Sequence, residues 1–129
     1  MTQPLAIARW HEIARRRDVA ALDALLADDV VFLSPVVRTP LPGKALTQAY
    51  LGAALEALFN ETFHYIGEWI GPDSAVLEFV AVIDGIEVNG ADFIAWNHAD
   101  QIVSFKVMIR PLKAIELVRQ RMASQFARA

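Results

Sequence analysis

Two apolar runs joined by one turn decide the fold: AVLEFVAVI at residues 75–83, DG at 84–85 and IEVNGADFIAW at 86–96. Asp84-Gly85 between such runs is the signature of a two-residue hairpin, whose central residues adopt positive φ. The flanking runs then read as strands, Ala75 to Ile83 and Ile86 to Trp96, the second bent at Gly90. A strand sends alternate residues to one face, so Asp92 shares a face with Ile94 and Trp96. A carboxylate on the apolar side of a sheet is costly unless it is paired, protonated or facing a cavity. An acid in an apolar pocket is also how a protein makes a general base, a proton donor or a ligand anchor. Asp92 therefore points to a small-molecule pocket.

Reading outward, Asn97 to Asp100 is a turn into a further strand, Gln101 to Ile109, which Pro111 stops. Leu112 to Phe126 reads as a closing helix. On the other side, Gly71-Pro72-Asp73-Ser74 is a turn, preceded by a strand from Glu61 to Ile70. Lys44 to Phe59 has Leu46, Tyr50, Leu51, Leu55 and Leu58 at helical spacing. Ser34-Pro35 through Pro42-Gly43 holds three prolines and is a loop. Val30 to Ser34 is a short strand. Asp18 caps a second helix, Val19 to Ala27, and Leu5, Ala8, Trp10, Ile13 and Ala14 belong to a first. Helices precede a four-strand antiparallel meander, which reads as α+β with a hollow between its two layers.

Composition bounds the function. At 129 residues the chain is one domain, residues 1–129, with a sizeable core. It is 55% hydrophobic with mean hydropathy +0.33. No apolar run reaches the ~18–20 residues of a membrane span. A lined cavity or an obligate interface would absorb the apolar surplus. A net charge of −3 argues against nucleic acid, and Arg15, Arg16 and Arg17 suit a helix C-terminus. With no cysteine, thiolate chemistry and disulfides are excluded. No basic-then-apolar leader opens the chain, so the cytoplasm is the expected compartment.

The chain resembles the nuclear transport factor 2-like superfamily of α+β cones. This superfamily includes ketosteroid isomerases, limonene-epoxide-hydrolase-type enzymes and SnoaL-type cyclases. The resemblance rests on Asp18-Val19, Leu26-Ala27-Asp28-Asp29-Val30, Gly43 before the third helix, Asp92, and Arg110-Pro111 after the last strand. It implies a curved sheet wrapped by helices and a homodimer through the outer sheet face. The isomerases use a helix tyrosine, an aspartate before a proline, and a protonated aspartate. The corresponding positions here look like Trp10, Ser34 before Pro35, and Asp92. Serine cannot be that base, so standard steroid isomerisation is not implied. The two aspartates and arginine of the epoxide hydrolases are not visible: Glu78 and Lys106 are what the second and fourth meander strands offer. A SnoaL-type cyclase needs one pocket aspartate, which Asp92 supplies.

The expected site is Asp92 as the proton-transfer group and Trp10 as a hydrogen-bond donor. Ile94, Trp96, Phe105, Val107 and Ile109 would line it from the sheet, with Trp10, Ser34 and Tyr50 beside them. A flat, apolar site with one acid suits a polycyclic or terpenoid-like molecule. No glycine-rich phosphate loop or dinucleotide fingerprint exists, and no cofactor is expected. His11, His64 and His98 are scattered, so no metal is expected either. Arg110 reads as structural, and Asp28 and Asp29 as helix-end and turn residues. Three functions fit: a proton-transfer isomerase, cyclase or dehydratase; a binder of a hydrophobic metabolite, with Asp92 hydrogen-bonded to Trp10 or Tyr50; or a dimeric interaction module.

Overall fold

The computed structural model describes residues 3–127. Helix α1 (Leu5–Arg16) buries Ile7, Trp10 and Ile13 and ends at Arg17, whose φ is 53°. Arg15 and Arg16 both pair with Glu12. Asp18 accepts from the Ala21 N–H and caps a 3₁₀ turn, Val19–Ala21. Next come α2 (Leu22–Leu25), β1 (Leu26–Leu33), β2 (Leu41–Pro42) and α3 (Lys44–Leu58). The chain continues through β3 (His64–Ile70), β4 (Ser74–Ile83), β5 (Ile86–Trp96), β6 (Ile102–Arg110) and α4 (Leu112–Ala127). No helix among the described residues is long and apolar enough to cross a membrane.

The fold is α+β, with one curved six-stranded sheet in the order β2-β1-β6-β5-β4-β3. The meander β3 to β6 is antiparallel, as its alternation predicts. Asp84 and Gly85 take φ of 52° and 77°, and Ile83 pairs with Ile86 across the turn. Inward residues of β4 (Ala75, Leu77, Phe79, Ala81, Ile83) and β5 (Val88, Gly90, Asp92, Ile94, Trp96) are buried. Helices α1, α3 and α4 close over that face and contribute to a single core cluster.

Four expectations need correction. Val19 to Ala27 is not one helix: it breaks into the 3₁₀ turn and the four-residue α2. Its last two residues, Leu26 and Ala27, belong to β1, because Leu26 pairs with Ile102. The sheet is larger than a four-strand meander, since β1 adds to it parallel to β6 and β2 adds to β1. Leu46, expected on the buried side of α3, is 44% exposed. Asp28 and Asp29, expected at a helix end and a turn, instead lie within β1, where the β1–β6 register shifts between Leu26 and Val31 and leaves both exposed.

One close approach shapes the inner face. Gly90 faces Phe79 across the β4–β5 ladder, and the Phe79 ring lies over the glycine backbone. A side chain at residue 90 would occupy the place of that ring.

Candidate functional site

A cavity of about 200 Å³ remains between the concave sheet face and the helices. That exceeds the ~150 Å³ of an apolar cavity able to hold benzene. The sheet contributes Phe32, Phe79, Asp92, Phe105, Val107 and Ile109. Helices α1 and α3 contribute Trp10, Tyr50, Leu51 and Ala54. Helix α4 adds Val118, Arg119, Met122 and Phe126, and the loop after β1 adds Ser34 to Val37. The wall is overwhelmingly apolar and aromatic.

Among the described residues Asp92 is the one acid at this wall, and it is 4% exposed. Leu77 and Val107 flank it on the neighbouring strands. The Tyr65 hydroxyl donates to Asp92 Oδ2 at 2.6 Å. The Trp10 indole N–H donates to that Tyr65 oxygen at 2.8 Å. Tyr65 stands on β3, two strands from Asp92, and reaches over β4. A bulge in the β3–β4 register between Tyr65 and Gly67 sets its aim. Asp92 Oδ1 has no hydrogen-bond partner among the described residues, and Asp92 borders the cavity.

The electrostatics follow from burial. Desolvation raises the Asp92 pKa from 3.8 to about 7, against the opposing pull of the Tyr65 hydrogen bond. Burial first, and then the Asp92 charge, push the Tyr65 hydroxyl well above its usual range, so it stays a donor. Near neutrality Asp92 thus populates both forms. The carboxylate can accept a proton through Oδ1, and the acid can return one. Tyr65→Phe should move the Asp92 pKa above about 7, because it deletes the hydrogen bond that favours the charged form. Carboxyl-carbon NMR across the titration would measure this, and an unchanged midpoint would deny Tyr65 that role.

The structure brings Trp10, Ser34, Tyr50, Phe105, Val107 and Ile109 to the same cavity as Asp92. Ile94 and Trp96 share the inward face of β5 but do not border the cavity; they sit in the solid part of the core. The strand is longer than the hollow, so alternation reports the face and not the depth. The Trp10 N–H is not open to a ligand, because its single donor is committed to Tyr65. The partner of Asp92 is neither Trp10 nor Tyr50. The Tyr50 ring instead lies 4.8 Å from Phe126. Ser34 holds a turn: its oxygen accepts from the N–H groups of Val36 and Val37 at 3.0 and 3.3 Å. Arg110 is on the outer face, donating to Asn89 at 3.4 Å.

Sequence reasoning missed Tyr65 and the α4 wall. Phe63 and Tyr65 do alternate onto one face, and both are partly buried against the core. Val118, Met122 and Phe126 recur every four residues, which is a legible helical stripe. Among the described residues, no cluster of histidines and acids could hold a metal ion.

The family model described as a SnoaL-like domain matches residues 7–105. No curated protein sequence matches the chain. Among solved structures, the chain is similar to a steroid delta-isomerase from Pseudomonas aeruginosa. The two share 32% identity over 95% of this chain and 90% of that one, with a TM-score of 0.90. It is also similar to an uncharacterized bacterial protein with a cystatin-like fold from Silicibacter pomeroyi. There the identity is 28%, the coverage 97% and 87%, and the TM-score 0.89. A Mycobacterium tuberculosis protein solved in complex with estradiol-17β-hemisuccinate shares the fold at 19% identity. It covers 85% of this chain and 94% of that one, with a TM-score of 0.66.

Proposed function

The chain belongs to the SnoaL-like domain family of the nuclear transport factor 2-like superfamily, and from that premise we propose that it moves a proton beside a carbonyl group of an apolar small molecule. The carrying observation is Asp92, buried at the wall of an apolar cavity with one oxygen held by Tyr65; burial, which raises its pKa to about 7, supports the reading. In this reading Oδ1 takes a proton from the carbon next to the carbonyl, and the bonding electrons pass to the carbonyl oxygen. In an isomerisation Asp92 then returns the proton to another carbon of the delocalised enolate; in a cyclisation the enolate carbon bonds to a second carbonyl carbon of the ligand and the resulting alkoxide takes the proton; in a dehydration the proton goes to the leaving hydroxyl. Trp10 acts through Tyr65 as a positioning residue. The likeness to a steroid delta-isomerase supports a polycyclic carbonyl ligand. Ser34, at the position expected for the isomerase base, argues for a single-acid mechanism rather than the standard one.

A second reading is binding of a hydrophobic metabolite without turnover. It draws on the Trp10 N–H, which is spent on Tyr65 and cannot stabilise an enolate oxygen. Asp92→Asn separates the two. Asparagine keeps an acceptor for Tyr65 but cannot take a proton. On a panel of unsaturated polycyclic ketones, turnover should fall at least ~100-fold while binding changes only a few-fold. Equal turnover by the variant would end the catalytic reading. Binding with no turnover by the parent protein would establish the second.

The homodimer is proposed on the outer sheet face. Trp69, Val82 and Met108 are 59%, 42% and 52% exposed there. Phe93 adds a ring capped by Lys106 at 4.7 Å. A face of this kind is a normal association surface. Light scattering at micromolar concentration should give twice the chain mass, and a monomer would refute it.

A further inference from the structure

We infer that the ligand carries a single negative charge on the end that faces out of the pocket, read there by Arg119 and Ser34. The inference rests on the small-molecule reading above and adds the polarity of the ligand to it. Burial orients the cavity. Trp10 and Asp92, 1% and 4% exposed, mark its floor. Val36, Val37 and Phe126, 37–41% exposed, mark its mouth. Ser34 and Arg119 belong to the same two mouth segments, the loop after β1 and the end of α4.

The polar side chains of these two mouth segments, Ser34 and Arg119, are donors with no acceptor left. The two lone pairs of the Ser34 hydroxyl already receive the Val36 and Val37 N–H groups, so only its O–H is free. The Arg119 guanidinium has five donors in a fixed fork. Glu116 takes the edge formed by Nε and Nη2, at 3.1 and 2.5 Å. Nη1 has no partner among the described residues, and Glu116 does not border the cavity. The acid that does border it lies at the floor. An amine or guanidinium at the outer end of a ligand would meet a like charge at Arg119 and no acceptor on Ser34. A carboxylate or sulfonate would meet a charged donor and a neutral one, a charge-assisted arrangement. The apolar wall between mouth and floor fits a hydrocarbon body joining the two polar ends.

The test pairs two fluorescent probes with the same naphthalene–phenyl body, neutral N-phenyl-1-naphthylamine and anionic 8-anilinonaphthalene-1-sulfonate, on the full chain. Both should bind the parent protein and displace each other. Arg119→Gln should weaken the sulfonate about 5- to 10-fold, as befits one partly exposed charged hydrogen bond, and leave the amine within about twofold. Ser34→Ala should weaken the sulfonate about 2- to 3-fold. Glu116→Gln should tighten the sulfonate, because it frees the second guanidinium edge and removes a like charge. That opposite sign is not expected of a merely structural ion pair. Equal effects of Arg119→Gln on both probes, or none on either, would overturn the anionic mouth while leaving the pocket standing. If neither probe binds the parent protein, the pocket reading itself falls and the inference falls with it.

Discussion

Asp92→Asn should make the protein more stable at pH 8, by an amount that vanishes in acid. The folded-state pKa of Asp92, about 7, lies above the ordinary 3.8. Between those values the folded chain holds a proton that the unfolded chain has released. The contribution of Asp92 to stability is therefore fully present below about pH 4 and is lost as pH rises through about 7. At ~1.4 kcal/mol per pKa unit, the charged form costs at most roughly 4 kcal/mol above neutrality. Asparagine fills the same space, still accepts from Tyr65 and carries no charge. Other carboxylates titrate in both proteins and cancel in the comparison. Thermal melts of the pair should nearly coincide near pH 4 and diverge to a plateau above about pH 7.5, by up to roughly 15 °C. A gap that does not change with pH would show that Asp92 is not a buried acid with a raised pKa. Paired with the loss of turnover, the gain would mark Asp92 as a group kept for chemistry at the expense of stability.

Gly90→Ala should be the most damaging single-methyl change in the sheet. Its Cβ would fall 2.3 Å from Phe79 Cζ and 2.8 Å from the Met108 carbonyl oxygen. The oxygen is backbone on the adjoining β6 strand, and Ile109 is the ladder partner of Gly90. It cannot retreat without disturbing the sheet. The Phe79 ring is 2% exposed and borders the cavity, so its way out is into the ligand space. We expect a loss of about 3 kcal/mol in denaturant unfolding. Binding of N-phenyl-1-naphthylamine should also be lost even where the fold survives. A variant within ~0.5 kcal/mol of the parent, with the probe still bound, would mean that the strand has slack there.

These two residues also show what could be read in advance. Asp84-Gly85 specified the hairpin, and the alternation of Ile86 to Trp96 located Asp92 on the buried face, because both signals are local. The first half of β1, ahead of the strand read from Val30, was illegible for the opposite reason. Leu25, Leu26 and Ala27 have helix-compatible spacing, and the partner that makes Leu26 a strand residue is Ile102. Tyr65 escaped because its link to Asp92 crosses a whole strand and depends on a bulge near Gly67. Ile94 and Trp96 were assigned to the right face at the wrong depth. Pattern carries no measure of where helices stop filling a cone. Gly90 was read as a bend, whereas the contact that requires it is a ring two strand positions from Asp92 on the adjacent β4 strand.

The parallel pairing of β1 with β6 has a consequence for how the molecule assembles in time. Val31 and Ser104 meet across more than half the chain, whereas the meander joins neighbours in sequence. Loop closure over that distance is slow, and local hairpins are fast. The meander should form early and β1 should dock late, carrying Phe32 to the growing wall. On the ribosome, β1 emerges long before the edge that receives it exists. Leu26, Val30 and Phe32, all buried in the finished protein, must wait uncovered. On that order the cavity should be completed last, and an agent that delays β1 should leave the meander without its pocket.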